Sequence, residues 1–334
     1  MEVQVWWKRS VARVLVLLVL SLSLGGPVWL VPTQARAAAS CGVTIGAGNF
    51  GTTLSPLTAG VVDTTATLNF SCSGLVPGVP VTLCGNLDGG SSGGDGSGGR
   101  LLKTAGGASL PFQIYQDSGR SQSWGSASLL IFGATPTITA TPGSGGTINV
   151  TQYLYGRIWT QATTVPATYS SSFTGQNFVW GLNLLSCAGI TLGFGVSPAT
   201  FTFSVTLTPD CQVTSSAVNF GSTGVLTAAK DGQGGLGVTC TSGTTYNVGL
   251  DNGLTGTSPT TRLMKKGAET VTYGLYKNSN RDQPWGGVAL GAGFVSGGTG
   301  TGAAQPLAVY GRAPAQATPS PGPYADTIVA TVTY

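Results

Sequence analysis

The stretch Tyr115–Gly125 reads Tyr-Gln-Asp-Ser-Gly-Arg-Ser-Gln-Ser-Trp-Gly, and it returns without a gap at Tyr276–Gly286 as Tyr-Lys-Asn-Ser-Asn-Arg-Asp-Gln-Pro-Trp-Gly. Three more segments return in the same order: Cys41–Gly51 at Cys211–Gly221, Arg100–Lys103 at Arg262–Lys265, and Tyr155–Arg157 at Tyr310–Arg312. A repeat of this length indicates two copies of one domain rather than a solenoid of short units. We call these copies the first repeat and the second repeat.

The beginning of the chain has the features of a secretory signal. Basic residues precede an apolar run over Val14–Leu24, and small residues follow at Ala35–Ala39. The run is shorter than the roughly 20 residues that a membrane-spanning helix needs. The sequence therefore predicts a signal peptide over residues 1–39, cleaved near Ala37 or Ala39. An uncleaved membrane anchor is the alternative.

Composition excludes several classes of protein. The formal net charge is +4, of which the basic residues and Glu2 of the signal segment together contribute +3, so the mature chain is close to neutral. No electrostatic argument for nucleic-acid binding remains. Charged residues make up 8% of the chain and hydrophobic residues 41%, whereas a disordered chain has high charge and low hydrophobicity. The composition is typical of a β-rich extracellular protein.

Alternating polar and apolar residues, rich in β-branched and aromatic types, form strand patterns in both repeats, as in Thr64–Ser71, Thr200–Leu207 and Tyr246–Leu250. No stretch after the signal segment has a capped helical period. These patterns predict an all-β sandwich or barrel, present twice in tandem. Pro209 and Asp210 interrupt the last strand of the first repeat, so we expect domains at residues 40–208 and 209–334.

Six cysteines in a secreted chain favour disulfides, because the chain has no histidine and no Cys-x-x-Cys pair for a metal. Cys41 and Cys72 occupy the same places in the first repeat as Cys211 and Cys240 in the second. Each pair is therefore expected to close within its own domain. This assignment leaves the remaining two cysteines to pair within the first domain: Cys84 and Cys187.

Catalytic and metal-binding motifs are poorly represented. The chain has no histidine, the usual general base, and after the signal segment Glu269 is its one glutamate. The tract Gly89–Gly99 lacks the Lys-Ser/Thr of a phosphate-binding loop and is expected to be a flexible loop. Asp88 and Asp95 do not have the spacing of a calcium loop. We therefore expect no catalytic residues, no cofactor and no metal.

The Arg-x-Gln-x-Trp-Gly motif, with Arg120 and Trp124 in the first repeat and Arg281 and Trp285 in the second, could bind a sugar or an anion. Its presence in both repeats in the same frame favours a structural corner instead. In that interpretation the arginine satisfies loop carbonyls and the tryptophan packs in the sandwich.

The two repeats end differently. The second ends on an alternating strand that places four residues on one face: Ile328, Ala330, Val332 and Tyr334. The first continues past its corresponding strand into Thr200–Leu207, which gives it a strand with which to close its own sandwich. The second repeat is therefore expected to lack a strand and to need one from a partner. Because Cys41 follows the cleavage region closely, we expect a subunit that accepts a strand but has none to donate.

Taken together, the repeated Cys, Asn-Phe-Gly, Arg-Leu-x-Lys, Arg-x-Gln-x-Trp-Gly and Tyr-Gly-Arg segments, with the terminal strand Tyr324–Tyr334, resemble the spore coat protein U family over both repeats. The family includes subunits of archaic chaperone–usher pili, and a two-domain member resembles their tip adhesin. The resemblance implies tandem immunoglobulin-like sandwiches, exported through the periplasm to a pilus tip at the cell surface. It also implies three partners: a periplasmic chaperone, an usher and an adjacent pilin that supplies a donor strand.

The sequence also offers a candidate adhesive surface for attachment and biofilm formation. If Cys41 bonds Cys72, the apolar loop Leu75–Pro80 lies at the pole of the first domain away from the second, where the second repeat has Thr241–Thr245. We expect apolar loops there to contact an abiotic or hydrophobic surface through nine residues: Leu75, Val76, Val79, Leu130, Ile131, Phe132, Ile190, Leu192 and Phe194. The alternative is that the loops fold back onto the core.

Two other functions are compatible with the sequence. A structural spore-coat-like or extracellular matrix protein would need no chaperone and no open domain. A carbohydrate-binding module would need a polar cleft lined with aromatic residues.

Overall fold

The computed structural model describes residues 39–126, 129–175, 178–183, 187 and 199–334. All but the last residue of the predicted signal segment lies outside this set. Within the described part of the chain, no helix has both the length and the apolar character needed to cross a membrane.

The first repeat is built from strands of mixed length joined by glycine-containing turns. Its strands are β1 (Ser40–Ile45), β2 (Gly48–Asn49), β3 (Val61–Ser73), β4 (Val81–Leu87), β5 (Arg100–Lys103), β6 (Ser109–Tyr115), β7 (Thr137–Ala140), β8 (Ile148–Trp159), β9 (Thr168–Phe173), β10 (Phe178–Asn183) and β11 (Phe201–Thr206). A short 3₁₀ helix covers Leu130–Phe132.

The second repeat has eight strands. Its strands are β12 (Cys211–Asn219), β13 (Lys230–Cys240), β14 (Thr245–Leu250), β15 (Arg262–Lys266), β16 (Glu269–Tyr276), β17 (Ser296–Thr299), β18 (Gln305–Ala313) and β19 (Ala330–Thr333). A 3₁₀ helix over Val288–Leu290 corresponds to the one in the first repeat.

The strands form two sheets in each repeat. In the first repeat the larger sheet has the order β1-β3-β8-β6-β5-β9-β11-β2, and β10-β4-β7 forms the smaller one. In the second repeat the larger sheet has the order β12-β13-β18-β16-β15, and β17-β14-β19 forms the smaller one. The predicted all-β fold of two sandwiches is confirmed.

Each sandwich has its own hydrophobic core. In the first repeat five phenylalanines meet at the centre, where the rings of Phe50 and Phe112 both lie 5.9 Å from the ring of Phe203, and Phe173 stacks on Phe201 at 4.8 Å. The side chains come from β6, β9, β11 and the turn after β2. Within a strand alternate residues point to the same face, which is why Phe201 and Phe203 of β11 both reach this core. Their contact packs β6, β9 and β11 of the larger sheet against the turn that carries Phe50.

The strand β11 is central to this core. Phe201, Phe203, Val205 and Leu207 are all buried, whereas the residues between them are half-buried. β11 pairs antiparallel with β9 over six positions and parallel with β2, where Phe203 lies opposite Gly48. The larger sheet therefore continues from β9 through β11 to β2.

Three disulfides form in the pairs that the repeat predicts. Cys41–Cys72 links facing positions of β1 and β3, and Cys211–Cys240 links the same positions of β12 and β13. Cys84–Cys187 ties β4 to the segment between β10 and β11. Each bond joins two cysteines of the same repeat, as the sequence predicts.

The chain passes from the first repeat to the second through a short connection that is hydrogen-bonded along its length. The N–H of Thr208 donates to the carbonyl of Leu54 at 2.9 Å. The hydroxyl of Ser55 donates to the carboxylate of Asp210 at 2.6 Å, and the N–H of Thr241 donates to the carbonyl of Asp210 at 2.9 Å. Asp210 thus forms hydrogen bonds with residues of both repeats.

Candidate functional site

The Arg-x-Gln-x-Trp-Gly motif forms a structural corner in the first repeat. Arg120 adopts a left-handed backbone with φ of 56°, and its guanidinium lies 3.2 Å from the carboxylate of Asp63 and donates to the carbonyl of Ser118 at 3.0 Å. Trp124 is buried, and its indole N–H donates to the carbonyl of Gly85 at 2.7 Å. The structural interpretation of the motif therefore fits the geometry.

The second repeat reproduces this corner. Arg281 has φ of 60° and lies 3.2 Å from Asp231, and the buried Trp285 donates to the carbonyl of Val248 at 2.8 Å. Arg312 forms a two-pronged ion pair with Asp231, which lowers the pKa of the Asp231 carboxyl. The hydrogen bond from Arg157 lowers the pKa of Asp63 in the first repeat in the same way.

Two buried arginines were not singled out by the sequence. Arg100 is fully buried and donates to the carbonyls of Leu87, Asp88 and Trp124, and burial lowers its pKa to about 9. Arg262 makes the corresponding contacts in the second repeat. The repeated Arg-Leu-x-Lys segment was the available signal, because an arginine kept in both repeats with the same frame is expected to have the same role.

Metal-ligating groups do not gather anywhere in the described ranges, where no three Cys, Asp, Glu or His side chains lie close enough to share an ion. The glycine-rich tract is organised by its own acid instead. The carboxylate of Asp95 accepts from the N–H groups of Ser97 at 2.7 Å and Gly99 at 2.9 Å. These backbone bonds lower the pKa of Asp95 and account for its position in the loop.

An open groove of about 1380 Å³ runs along the second repeat. Its apolar lining combines side chains of β12, of the turn after it, of the central strands and of the chain's last segment: Val218, Phe220, Tyr273, Val309, Ile328 and Ala330. Six consecutive residues of β12, Gln212–Ala217, are exposed, and five of them, Val213–Ala217, line the groove. Such a lining is suited to bind an extended apolar segment rather than a small polar molecule.

Polar contacts fix one wall of the groove. The hydroxyl of Tyr273 donates to the carboxylate of Asp326 at 2.7 Å, and the ring of Phe220 lies 5.8 Å from that of Tyr273. Asp326 also accepts from the N–H of Leu254 at 3.0 Å. Burial and the bond to Asp326 raise the pKa of Tyr273, so its hydroxyl stays protonated at neutral pH.

The four residues expected to contact a donor strand are in different surroundings. Ile328 and Ala330 line the groove, whereas Val332 packs against the core and lies opposite Val248 on β14. Tyr334 is 59% exposed and lies outside the groove lining. The structure therefore brings two of the four together at the groove.

The loop after Cys72 lies at the end of β3 that carries the Cys41–Cys72 bond. Val76 and Val79 are exposed, and Leu75 is half-buried and packs against the core. The opposite end of β3, at Val61, lies opposite Trp159, which precedes the loop that contacts the second repeat at Gly302. This apolar loop is thus at the end of the first repeat away from the second.

The segment Leu129–Phe132 differs from the sequence prediction in the burial of one residue and in its position. Leu130 is 78% exposed and Ile131 is exposed, but Phe132 is only 5% exposed, with its ring centre 4.8 Å from the guanidinium carbon of Arg100. The prediction that Phe132 belongs to an exposed apolar surface is wrong, because the ring covers a buried cation.

The position of this segment also separates it from the loop after Cys72. Phe132 contacts Arg100, which binds the carbonyl of Leu87 at the end of β4, whereas the loop ends where β4 begins, at Val81. Six steps along the strand, about 20 Å, separate these points. The other predicted contacts lie outside the described residues: Ile190, Leu192 and Phe194.

Exposed aromatic residues on β8 were missed by the sequence analysis. Tyr153 and Trp159 are exposed, and the ring of Tyr153 lies 6.1 Å from that of Tyr155. The corresponding positions in the second repeat, counted from the shared Tyr-Gly-Arg, are Ala308 and Pro314. The difference between the repeats was a usable signal for a surface particular to the first.

Solved structures that match the chain include parts of bacterial pili. A chain of the chaperone–tip adhesion subunit pre-assembly complex CsuC–CsuE, from archaic chaperone–usher Csu pili of Acinetobacter baumannii, matches with 18% identity and a TM-score of 0.51, over 88% of this chain and 100% of that one. The CupB6 tip adhesin from Pseudomonas aeruginosa matches with 14% identity and a TM-score of 0.39, over 89% and 95%. No curated protein sequence matches the chain.

The family is shown by sequence. The model of the Spore Coat Protein U domain matches residues 29–176 and again residues 197–331, so the two matches together cover most of the chain and correspond to the two repeats. The motifs Cys…Asn-Phe-Gly, Arg-Leu-x-Lys and Tyr-Gly-Arg lie inside both matches. The chain belongs to the Spore Coat Protein U domain family.

Proposed function

We propose that the protein is a non-enzymatic pilus subunit, exported through the periplasm, whose second repeat is one strand short and accepts an extended strand from another chain. The observation that carries the proposal is the groove. It is lined by Phe220 and Tyr273, whose counterparts Phe50 and Phe112 pack against β11 in the first repeat. The groove therefore corresponds to the place that β11 fills.

The physical basis of strand acceptance is the exposure of apolar side chains beside unpaired backbone. In the first repeat, Lys103 of β5 lies opposite Ser170 of β9, and β9 pairs with β11. In the second repeat the corresponding residues Lys265 and Ala325 form an isolated bridge. An added strand would bury the apolar lining and satisfy backbone groups along this edge.

The proposed partners follow from this geometry and from the family. A periplasmic chaperone would supply the strand first, an usher would receive the complex, and an adjacent pilin would then replace the chaperone's strand. The similar structure from A. baumannii is a complex of a chaperone with a tip adhesion subunit before assembly, which supports the first step.

Thermal unfolding with added peptide tests strand acceptance. A nine-residue peptide that alternates threonine with valine, with alanine in place of one central valine, should raise the melting temperature, because a ligand at 100 times its Kd stabilises the folded state by about 2.7 kcal/mol. The control peptide carries proline at two threonine positions and cannot form the ladder. A cooperative transition at high temperature that neither peptide shifts would contradict the proposal.

We further propose that the protein is the tip subunit. In the first repeat β11 completes the larger sheet, so only the second repeat needs a strand from another chain. A subunit of this kind is suited to end a fibre, with the first repeat pointing away from it. Negative-stain images of assembled pili with a label on the first repeat should show the label at fibre ends, and labels along the shaft would contradict this position.

Attachment and biofilm formation are proposed to occur through exposed apolar residues of the first repeat, on abiotic or hydrophobic surfaces. Val76 and Val79 with Leu75, and separately Leu130 and Ile131, offer apolar area to such a surface. Removing that area from water stabilises contact by about 25 cal/mol per Å². Ile190, Leu192 and Phe194 are included among the residues proposed to contact such a surface.

A substitution series tests the loop. Replacing Leu75, Val76 and Val79 by serine or threonine should lower attachment of piliated cells to plastic several-fold while pilus assembly is unchanged. The control replaces Val225 and Leu254, which are more exposed than the loop residues but belong to the second repeat, and should leave attachment unchanged. Equal attachment by all three strains would exclude the loop as the adhesive surface.

Carbohydrate binding is a second candidate function, favoured by the exposed Tyr153 and Trp159 on β8. Exposed aromatic rings on a sheet can stack on sugar faces, and the ring of Tyr155 adds a third surface 6.1 Å from Tyr153. A glycan array would test it, with Tyr153→Ala as the variant. Binding that the variant does not weaken would exclude this surface.

A further inference from the structure

We propose that the groove of the second repeat takes a partner strand with a small residue at the position that Phe203 occupies in β11, and that it rejects the protein's own closing strand. This inference rests on the proposed function, because it describes which strand the groove accepts. It follows from a comparison of two glycines of the first repeat with their counterparts in the second.

In the first repeat the ring of Phe203 lies over two glycines. A Cβ placed on Gly48 would lie 2.1 Å from Cε1 and 2.2 Å from Cδ1 of that ring. A Cβ on Gly156 would lie 2.8 Å from Cε1 of the same ring. The absence of side chains at both positions makes the space for Phe203.

In the second repeat one of these glycines is kept and the other is not. Gly311 corresponds to Gly156 through the shared Tyr-Gly-Arg, whereas Val218 corresponds to Gly48 through the shared Asn-Phe-Gly. A Cβ on Gly311 would lie 2.8 Å from Cγ1 of Val218 and 2.7 Å from Cζ of Phe220. The space over the shared glycine is therefore already partly filled by the Val218 side chain.

A strand that enters the groove in the register of β11 would bring one side chain against Val218. A phenylalanine there would be overpacked, whereas alanine or glycine would fit without moving β12. The occupant that the groove fits is thus an extended segment of another chain, with alternating apolar residues and a small one opposite Val218.

Rejection of the protein's own strand would keep copies of the protein from joining one another. Both repeats are built on the same plan, so β11 of one copy could otherwise enter the groove of a second copy and start uncontrolled chains of copies. A single valine in place of glycine disfavours that exchange while leaving the groove open to a strand of different sequence.

Two peptides test the inference on the full chain. The first copies residues 199–208, and the second is the same peptide with the Phe203→Ala change. The alanine peptide should bind the unaltered protein at least about tenfold more tightly, since overpacking opposes the phenylalanine peptide. In the Val218→Gly variant this preference should disappear or reverse, and Val218→Ala should give an intermediate result if the glycine variant does not fold.

The control variant is Val61→Gly, which makes the same substitution at an exposed strand position of the first repeat, outside the groove, and should keep the preference for alanine. If the unaltered protein binds both peptides equally, the size selection is wrong while strand acceptance stands. If neither peptide binds the unaltered protein or any variant, strand acceptance and the inference built on it are both wrong.

Discussion

Gly48 is the residue on which the closing strand of the first repeat depends. It lies opposite Phe203 in the parallel pairing of β2 with β11, and a side chain there would enter the phenylalanine ring. Gly42, on β1 of the same sheet, has open space where a Cβ would be. The two glycines therefore provide a matched pair for measuring how tightly β11 is packed.

Gly48→Val should lower the free energy of unfolding by about 1–3 kcal/mol, the usual cost of overpacking a core, whereas Gly42→Val should change it by less than about 0.5 kcal/mol. Combining Gly48→Val with Phe203→Ala should cost less than the sum of the single changes, because the second substitution removes the clash. Urea denaturation of the four variants measures this coupling. Strict additivity would show that the valine does not meet the ring.

The ion pairs of the two corners give stability a dependence on pH. Hydrogen bonds from Arg157 and Arg312 lower the pKa of Asp63 and Asp231 in the folded state. A carboxyl with a lowered folded pKa stabilises the protein above its unfolded pKa, and that contribution is lost as the pH falls through the folded pKa.

The melting temperature should therefore fall between about pH 5 and pH 2, and it should fall less steeply in the Asp63→Asn, Asp231→Asn double variant. Both carboxylates are more than a third exposed, so the difference in slope will be small. Melting curves at low ionic strength are the measurement. Parallel slopes in the two proteins would mean that these pairs do not contribute.

At the scale of the strand, the disulfides differ in how much chain they enclose. The sequence separation is 31 residues for Cys41–Cys72, 29 for Cys211–Cys240 and 103 for Cys84–Cys187. The first two join strands that are already paired, whereas the third connects β4 to the segment that leads into β11. A longer closed loop restricts the unfolded chain more.

Removing Cys84–Cys187 by paired alanine substitutions should destabilise the protein by about 2–5 kcal/mol, and by about 1 kcal/mol more than removing Cys41–Cys72. Chemical denaturation of the two double variants gives the comparison. A larger loss on removing Cys41–Cys72 would show that strain or residual structure in the unfolded chain outweighs loop length.

The repeat made Cys41–Cys72, Cys211–Cys240 and the corner with Trp124 predictable, because these residues recur in frame, whereas β11 was predictable from its own alternation of polar and apolar residues. The segment Leu129–Phe132 could not be placed in this way. The burial of Phe132 depends on Arg100, which lies about thirty residues earlier in the chain and binds the carbonyl of Leu87 on β4. That Val218 stands where the first repeat has Gly48 can be read from the sequence, but the proposed consequence could be argued only from the position of the Phe203 ring.

At the scale of the whole molecule, Asp210 links the two repeats. It accepts from Ser55 of the first repeat, and its carbonyl accepts from Thr241 of the second. Asp210→Ala should widen the distribution of distances between spin labels placed on the two repeats, with a loss of stability of about 1 kcal/mol. Asp282→Ala, an exposed acid in the corner of the second repeat, is the control. An unchanged distribution would show that other contacts hold the repeats.

The route of the chain through this connection has a mechanical consequence. β11 leads directly into residues 207–210 and then into β12, so a force that pulls the second repeat away from an anchored first repeat acts along the axis of β11. The strand is hydrogen-bonded to β9 on one side, and on the other Phe50 and Leu54 donate to the carbonyls of Ser204 and Thr206. Pulling in this direction shears all these bonds at once instead of opening them one after another, so the first repeat should withstand drag at the end where it is loaded.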